Sequence, residues 1–275
     1  MKGVLADRME IMTRLCLWLL AALTGFPACP AHAGLAPPPA IFVVTEDRAP
    51  QTLWLGNQPA GPHTAMVKRI VEAAGYRADI QMYPWQRSYF LAQTRPNTLI
   101  YSIARSESRE KHFLWIGELD SGLRWFYRRA GSRQPLPRTM EDLRLGNTTC
   151  VVQGDIGEEN LRQLHFMEGK EFVVAYQRKD CLKMLLAGSV SMLLEAPDGL
   201  QWELAINRIP DAAVEKVLLL PSSHTQPLYL AASLGSDPAM VERLRNAWLA
   251  LSRSGELGQL RRQRITAPMN YHLPH

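Results

Sequence analysis

Short apolar runs and segments of helical spacing alternate along most of this chain, separated by polar stretches marked with glycine and proline. Ile41-Phe42-Val43-Val44-Thr45 is a continuous apolar run of strand length, the pattern of a strand buried on both faces. Pro50, Gly56, Pro59 and Gly61 mark a long loop after it. Residues 64–75 carry apolar positions at helical spacing, and Gly75 supplies the stop. Residues 77–83 alternate as a second strand, 85–94 read as a helix, and 98–102 as a third strand. Ser106 is placed to cap a short helix running through Glu110. Residues 123–128 form another strand.

The order repeats after a polar, proline-containing link at 131–138. A short helix at 140–143 precedes a strand at 148–153, and Gly154-Asp155-Ile156-Gly157 opens the next helix. A strand at 172–176 leads to a helix at 181–187 capped by Asp180, then to a strand at 190–195. Strands at 217–220 and 228–233 precede an amphipathic helix at 238–252 and a last helix at 257–263. Two successive β-α-β-α-β units argue for an α/β protein of two lobes, each a mostly parallel sheet covered by helices. The expected division is a leader at 1–33, a first lobe at 34–128, a second at 129–224, and a return to the first lobe at 225–275. Ligands of such folds sit at the carboxyl ends of strands, near helix N-termini, so the cleft between lobes is the place to look.

The leader changes the picture of compartment. Lys2, Arg8 and Arg14 precede the short apolar stretch Leu15-Cys16-Leu17-Trp18-Leu19-Leu20-Ala21-Ala22-Leu23, then Gly25 and Pro27, then Ala31-His32-Ala33. This is the order of an export signal, with cleavage expected after Ala33 and a periplasmic mature protein. The apolar stretch is shorter than the roughly 20 residues that cross a bilayer. Translation from Met12 would keep Arg14, the apolar stretch and the cleavage site. Cys16 and Cys29 leave with the leader, so Cys150 and Cys181 remain in an oxidising compartment and are expected to pair; two buried free thiols are the alternative. The net charge of +5 is mild and spread along the chain, which gives no reason to expect a nucleic-acid partner. A hydrophobic content of 47% is enough for real cores, and a monomer is expected. The pattern implies no metal or cofactor. It holds no Gly-x-Ser-x-Gly, no His-Glu-x-x-His and no paired Cys/His set, so no catalytic residue is assigned.

Four stretches carry a family resemblance: Thr45-Glu46-Asp47-Arg48-Ala49-Pro50, Pro84-Trp85-Gln86-Arg87, residues Ala104-Arg105-Ser106-Glu107-Ser108-Arg109-Glu110-Lys111-His112-Phe113, and Leu186-Ala187-Gly188-Ser189-Val190-Ser191. With the order of elements, they resemble the bacterial extracellular solute-binding proteins of family 3, which include the polar amino-acid-binding proteins of ABC importers. The resemblance spans about residues 41–265. It implies two lobes joined by a hinge, closure on a small polar or carboxylate-bearing solute, and delivery to an inner-membrane permease. Relatives on the same scaffold also act as ligand sensors of a membrane partner, or as lyases and dehydratases, so those readings stay open.

By that resemblance Arg109 holds a ligand carboxylate. A guanidinium offers a planar fork that binds a carboxylate bidentately, and it stays charged when partly buried. As the third residue of a helix capped by Ser106, it would also lie beside free backbone amides. Gly154 opens the matching site in the second lobe, where the amides of Asp155 and Ile156 would face a ligand, although the Asp155 carboxylate repels an anion. Glu46, Trp85, Ser102, Ala104 and Glu195 complete the expected ligand-binding set; Tyr101 reads better as core. The family's ammonium-binding aspartate falls at Ala196 here, with Glu195 before it and Asp198 two residues on, and the aspartate before that strand is Ser191. Gly61-Pro62-His63-Thr64 replaces the usual Gly-aromatic-x-Asp run. Either Glu195 or Asp198 substitutes, or the solute is not an α-amino acid.

Overall fold

The computed structural model describes residues 37–263. The leader, its cleavage site and the histidines of the C-terminal tail lie outside the described residues.

The first sheet has the order β4-β1-β5-β12-β6, built from β1 (Ala40–Thr45), β4 (Arg77–Met82), β5 (Thr98–Ala104), β6 (Phe113–Asp120) and β12 (Leu228–Ser233). β4, β1 and β5 run parallel; β12 is antiparallel to both β5 and β6. The continuous apolar runs follow from burial on both faces. Val43, Leu99 and Tyr101 pack under α1 (Pro62–Ala73) and α7 (Pro238–Arg253) through Met66, Ile70, Val241 and Leu244. The alternate residues Val44 and Ile100 face the other way, toward Ala92 of α2 (Trp85–Thr94) and the rings of Phe113 and Trp115.

The second sheet has the order β11-β7-β10-β8-β9, from β7 (Trp125–Arg129), β8 (Thr149–Val152), β9 (Phe172–Ala175), β10 (Met192–Glu195) and β11 (Val214–Leu219). β10, β8 and β9 are parallel, and β7 is antiparallel to β10 and β11. One face packs on α5 (Arg178–Ala187) and α6 (Pro197–Ile206) through Leu182, Leu185, Leu200 and Leu204. The other packs on α3 (Met140–Arg144) and α4 (Ile156–Gln163) through Leu143 and Leu161. Cys150 of β8 and Cys181 of α5 form a fully buried disulfide, their Cα atoms 5.4 Å apart.

The structure differs from the sequence reading at several points. β7 hydrogen-bonds to β10 and β11, so the first crossing between sheets falls at residues 121–124 and not at 128. The return crossing spans residues 220–227. The long loop after β1 contains a hairpin of β2 (Leu53–Leu55) and β3 (Gln58–Ala60), turned at Gly56-Asn57. Gly61 ends that hairpin at φ 109°, where any Cβ would collide with the Gln51 carbonyl. β6 and α6 are elements that the sequence pattern does not predict. α5 begins at Arg178, with Gln177 and not Asp180 at its N-cap, and no side chain caps it. The hairpin matters for the lobes: Leu53 and Ala49 form one buried cluster with Trp202 of α6, joined by Ala60 and Ile206. Apolar contact therefore bridges the two lobes.

Candidate functional site

The residues that follow β1, β8 and β10 converge between the lobes. Arg48, in the loop after β1, places Nη1 3.0 Å from Asp155 Oδ2 and 3.4 Å from Glu46 Oε1, and Nη2 3.7 Å from Glu195 Oε1. Arg178 of α5 reaches the other oxygen of Glu195 at 3.0 Å and donates to the Ala49 carbonyl at 2.8 Å. Arg124, at the first crossing, lies 3.8 Å from Asp155 Oδ1. Gln51 donates to Asp198, again from one lobe to the other. At the far edge Ser108 Oγ donates to Glu159 of α4 at 2.9 Å, and Arg109 Nη2 stands 3.9 Å from the same carboxylate.

Charges this deep persist only with close partners, because desolvation costs several kcal/mol per ion. Burial alone would raise the Asp155 carboxyl, but Arg48, Arg124 and the Ile156 amide outweigh it and hold it well below the usual carboxylate range. Burial works against the Arg48 cation too, and Asp155, Glu195 and Glu46 reverse it and raise Arg48 further. Burial dominates at Glu46, which is pushed up, and at Arg124, which is pulled down. Burial also raises Glu203 of α6.

Of the residues expected from sequence, Glu46, Asp155 and Glu195 join this network directly. Arg109 is nearly buried and precedes a three-residue 3-10 turn, Glu110–His112; it is not the third residue of a capped helix. Ser106 turns its hydroxyl to Ser108 at 2.8 Å instead of capping. The Arg109 guanidinium donates to the Ala104 carbonyl at 3.4 Å and lies over the rings of Trp85 and Tyr89, 5.5 and 5.8 Å from their centroids. Trp85 is half-buried and opens α2.

The amides at the start of α4 are not open. The Gly154 amide donates to Glu158 Oε2 and the Ile156 amide to Asp155 Oδ1, each at 2.7 Å. The segment's own carboxylates take the anion positions that the sequence reading left to a ligand. Gly154 has φ +71°, and a Cβ there would sit 2.5 Å from Gln86 Nε2 of the first lobe, so glycine permits this approach. Tyr101 is core, its hydroxyl 2.9 Å from Thr64 Oγ1.

Ser102 adopts φ +59° at the end of β5, and its hydroxyl is 2.8 Å from Nδ1 of the fully buried His63. His63 Nε2 is 4.0 Å from Asp120 Oδ2 and has no hydrogen-bond partner among the described residues. Burial lowers the imidazole to about 4. The unfolded chain, with an ordinary histidine near 6.5, therefore takes up a proton first as pH falls. His63 should cost stability progressively from about pH 6.5 down to about pH 4, in total about 3 kcal/mol. Denaturant unfolding across that range should show this loss in the wild type and a flatter profile in His63→Gln; equal slopes would contradict it.

The closed cleft leaves a cavity of only about 30 Å³, bordered by Arg48, Gln51, Asp120, Arg124, Arg178 and Glu195. That is far below the size of a pocket holding a metabolite. A larger hollow of about 590 Å³ lies on the first lobe, lined by Arg105, Tyr229, Trp248 and Arg261. Its Arg105 is already held by both oxygens of Glu110, at 2.8 and 2.7 Å, so the concentration of buried charge singles out the cleft. Among the described residues no group of His, Cys, Asp and Glu is arranged to hold a metal ion, and no helix is long and apolar enough to cross a membrane.

Arg48, Arg124, Arg178, Gln51 and Glu159 were missed in the sequence. Arg48 lay inside a stretch already singled out for resemblance. The other four lie far apart in the chain, and only the fold brings them together.

The chain matches no protein-family model, and no curated protein matches it. Solved structures do. A histidine kinase sensor domain with similarity to periplasmic binding proteins aligns with TM-score 0.69 at 21% identity, over 81% of this chain and 94% of that one. An ancestral arginine-binding protein bound to arginine gives 0.67 at 16%, over 80% and 96%. The arginine-, lysine-, histidine-binding protein ArtJ from Geobacillus stearothermophilus gives 0.67 at 14%, over 80% and 93%. With two sheets, two crossings and charged groups gathered at the strand ends between them, this chain has the two-lobed α/β fold of the periplasmic binding proteins.

Proposed function

We propose that this protein is a periplasmic solute-binding protein that captures a small polar or carboxylate-bearing solute between its lobes and passes it to an inner-membrane ABC permease. One observation carries the reading: Glu46, Arg48, Asp155, Arg178 and Glu195 converge from both lobes at the ends of β1, β8 and β10. Such a site exists only when the lobes meet, which couples occupancy to closure. The neighbours named for arginine, lysine and histidine binding support a small amino-acid-like solute. Arg109 would take its carboxylate in place of Glu159. The likeness to a histidine kinase sensor domain supports a second reading, a ligand sensor signalling to a membrane partner. A permease gene beside this one favours transport, and a sensor kinase gene favours the second reading.

The test is a thermal-shift screen of the mature protein against amino acids, carboxylates and amines. A true solute at 100 times its dissociation constant adds about 2.7 kcal/mol to stability. A flat response to all three classes would contradict the reading. Export has its own expected outcome. Mass spectrometry of periplasmic protein should find an N-terminus at Gly34 or within a few residues of it, and a full-length cytoplasmic product would contradict it.

A further inference from the structure

The guanidinium of Arg48 stands where a ligand would. It leaves the first lobe in a loop and ends among carboxylates contributed mainly by the second, one nitrogen toward Asp155 and Glu46 and the other toward Glu195. This fork geometry matches a guanidinium and not a point charge. Glu46, Asp155, Glu195 and Glu203 gather around Arg48, Arg124 and Arg178, with Lys179 also near Glu203. Glu203 is nearly buried, and its Oε2 has no hydrogen-bond partner among the described residues.

The other two arginines are anchored differently. Arg178 is tied to the Ala49 carbonyl and to Glu195, and Arg124 sits at the crossing beside the Gly122 carbonyl, 3.4 Å away. Arg48 has a long stem on a loop, and its head is held by ion pairs. With that head in place the remaining 30 Å³ admits no solute.

We propose that Arg48 is the built-in occupant of a guanidinium-binding subsite, so that the lobes close without solute, and that a solute bearing a guanidinium group enters by displacing it. The proposal rests on the cleft being the ligand site.

Removing the occupant should expose the subsite. In the variant Arg48→Ala, methylguanidinium, tested against sodium chloride of equal ionic strength, should bind saturably in calorimetry. Its affinity should exceed that of the wild type by about tenfold or more. Methylammonium should bind more weakly, since it cannot span two carboxylates. Adding Asp155→Asn to Arg48→Ala should abolish the gain. Equal methylguanidinium binding by wild type and variant would overturn the proposal. Should Arg48→Ala not fold, Arg48→Met keeps the aliphatic stem and serves the same comparison. A measurement free of variants is small-angle scattering of the wild type without solute. A closed, compact particle is expected, and an open one would overturn the proposal. The two readings separate cleanly. Methylguanidinium binding by the variant, with no solute found for the wild type, keeps the subsite and removes the transport reading. Solute binding by the wild type, with no gain in the variant, does the reverse.

Discussion

Replacing Arg109 with alanine is expected to weaken binding of the solute by roughly 30-fold to several thousand-fold, about 2–5 kcal/mol. The size follows from surroundings. The guanidinium is nearly buried, is backed by the Trp85 and Tyr89 rings, and is steadied by the Ala104 carbonyl. A carboxylate bound there would be shielded from water, where a charge-assisted pair is stronger than at a surface. Lysine should rescue only part of the loss, because it brings a point charge and no planar fork. Glu159, the present partner, keeps its hydrogen bond from Ser108 in the alanine variant, so the closed lobes retain one contact at that edge. Calorimetry of wild type, Arg109→Ala and Arg109→Lys with the strongest solute from the screen reads the effect. Unchanged affinity in a folded alanine variant would mean that Arg109 serves only to hold Glu159.

The second large effect belongs to stability. Removing the Cys150–Cys181 disulfide should cost about 3–4 kcal/mol in the loop-entropy account, since it closes a loop of 31 residues. The bond joins the central part of the second sheet to α5, in a cluster that includes Leu182, Leu185 and Leu193. Its loss should therefore loosen the second lobe first. Urea unfolding of the Cys150→Ala/Cys181→Ala protein should show a lowered midpoint, and reducing agent should produce the same shift in the wild type. A midpoint that does not move would contradict this.

The regular elements were legible because each buried strand has a short, dense apolar run. Residues 41–45 and 98–102 each read as one strand, and α2 was read with its bounds as observed. The hairpin of β2 and β3 escaped because three-residue strands carry too little periodicity to stand out. β7 was assigned to the wrong lobe because a crossing leaves no mark in local composition; only its pairing with β10 and β11 reveals it. The candidate site was half legible. Glu46, Asp155 and Glu195 were named by position after a strand or by resemblance, and all three lie in the ion network. The filling of the α4 amides by Asp155 and Glu158 was not foreseen. Those carboxylates stand next to the amides in sequence, and a ligand reading looks past them. Arg48 as a bridge between lobes required two segments over a hundred residues apart to meet, which no local pattern encodes.

The central claim is that the cleft between the lobes binds solute, and amide hydrogen exchange tests it most directly. Mature protein should be compared with and without the solute that gives the largest thermal shift. The expected result is added protection in four segments: the loop at residues 46–52, residues 104–109, the start of α4 at 154–159, and the stretch from Glu195 to Gly199. Residues 248–261, which line the outer hollow beside Trp248, should not change. Protection confined to that hollow, or none in the four cleft segments at saturating solute, would contradict the account.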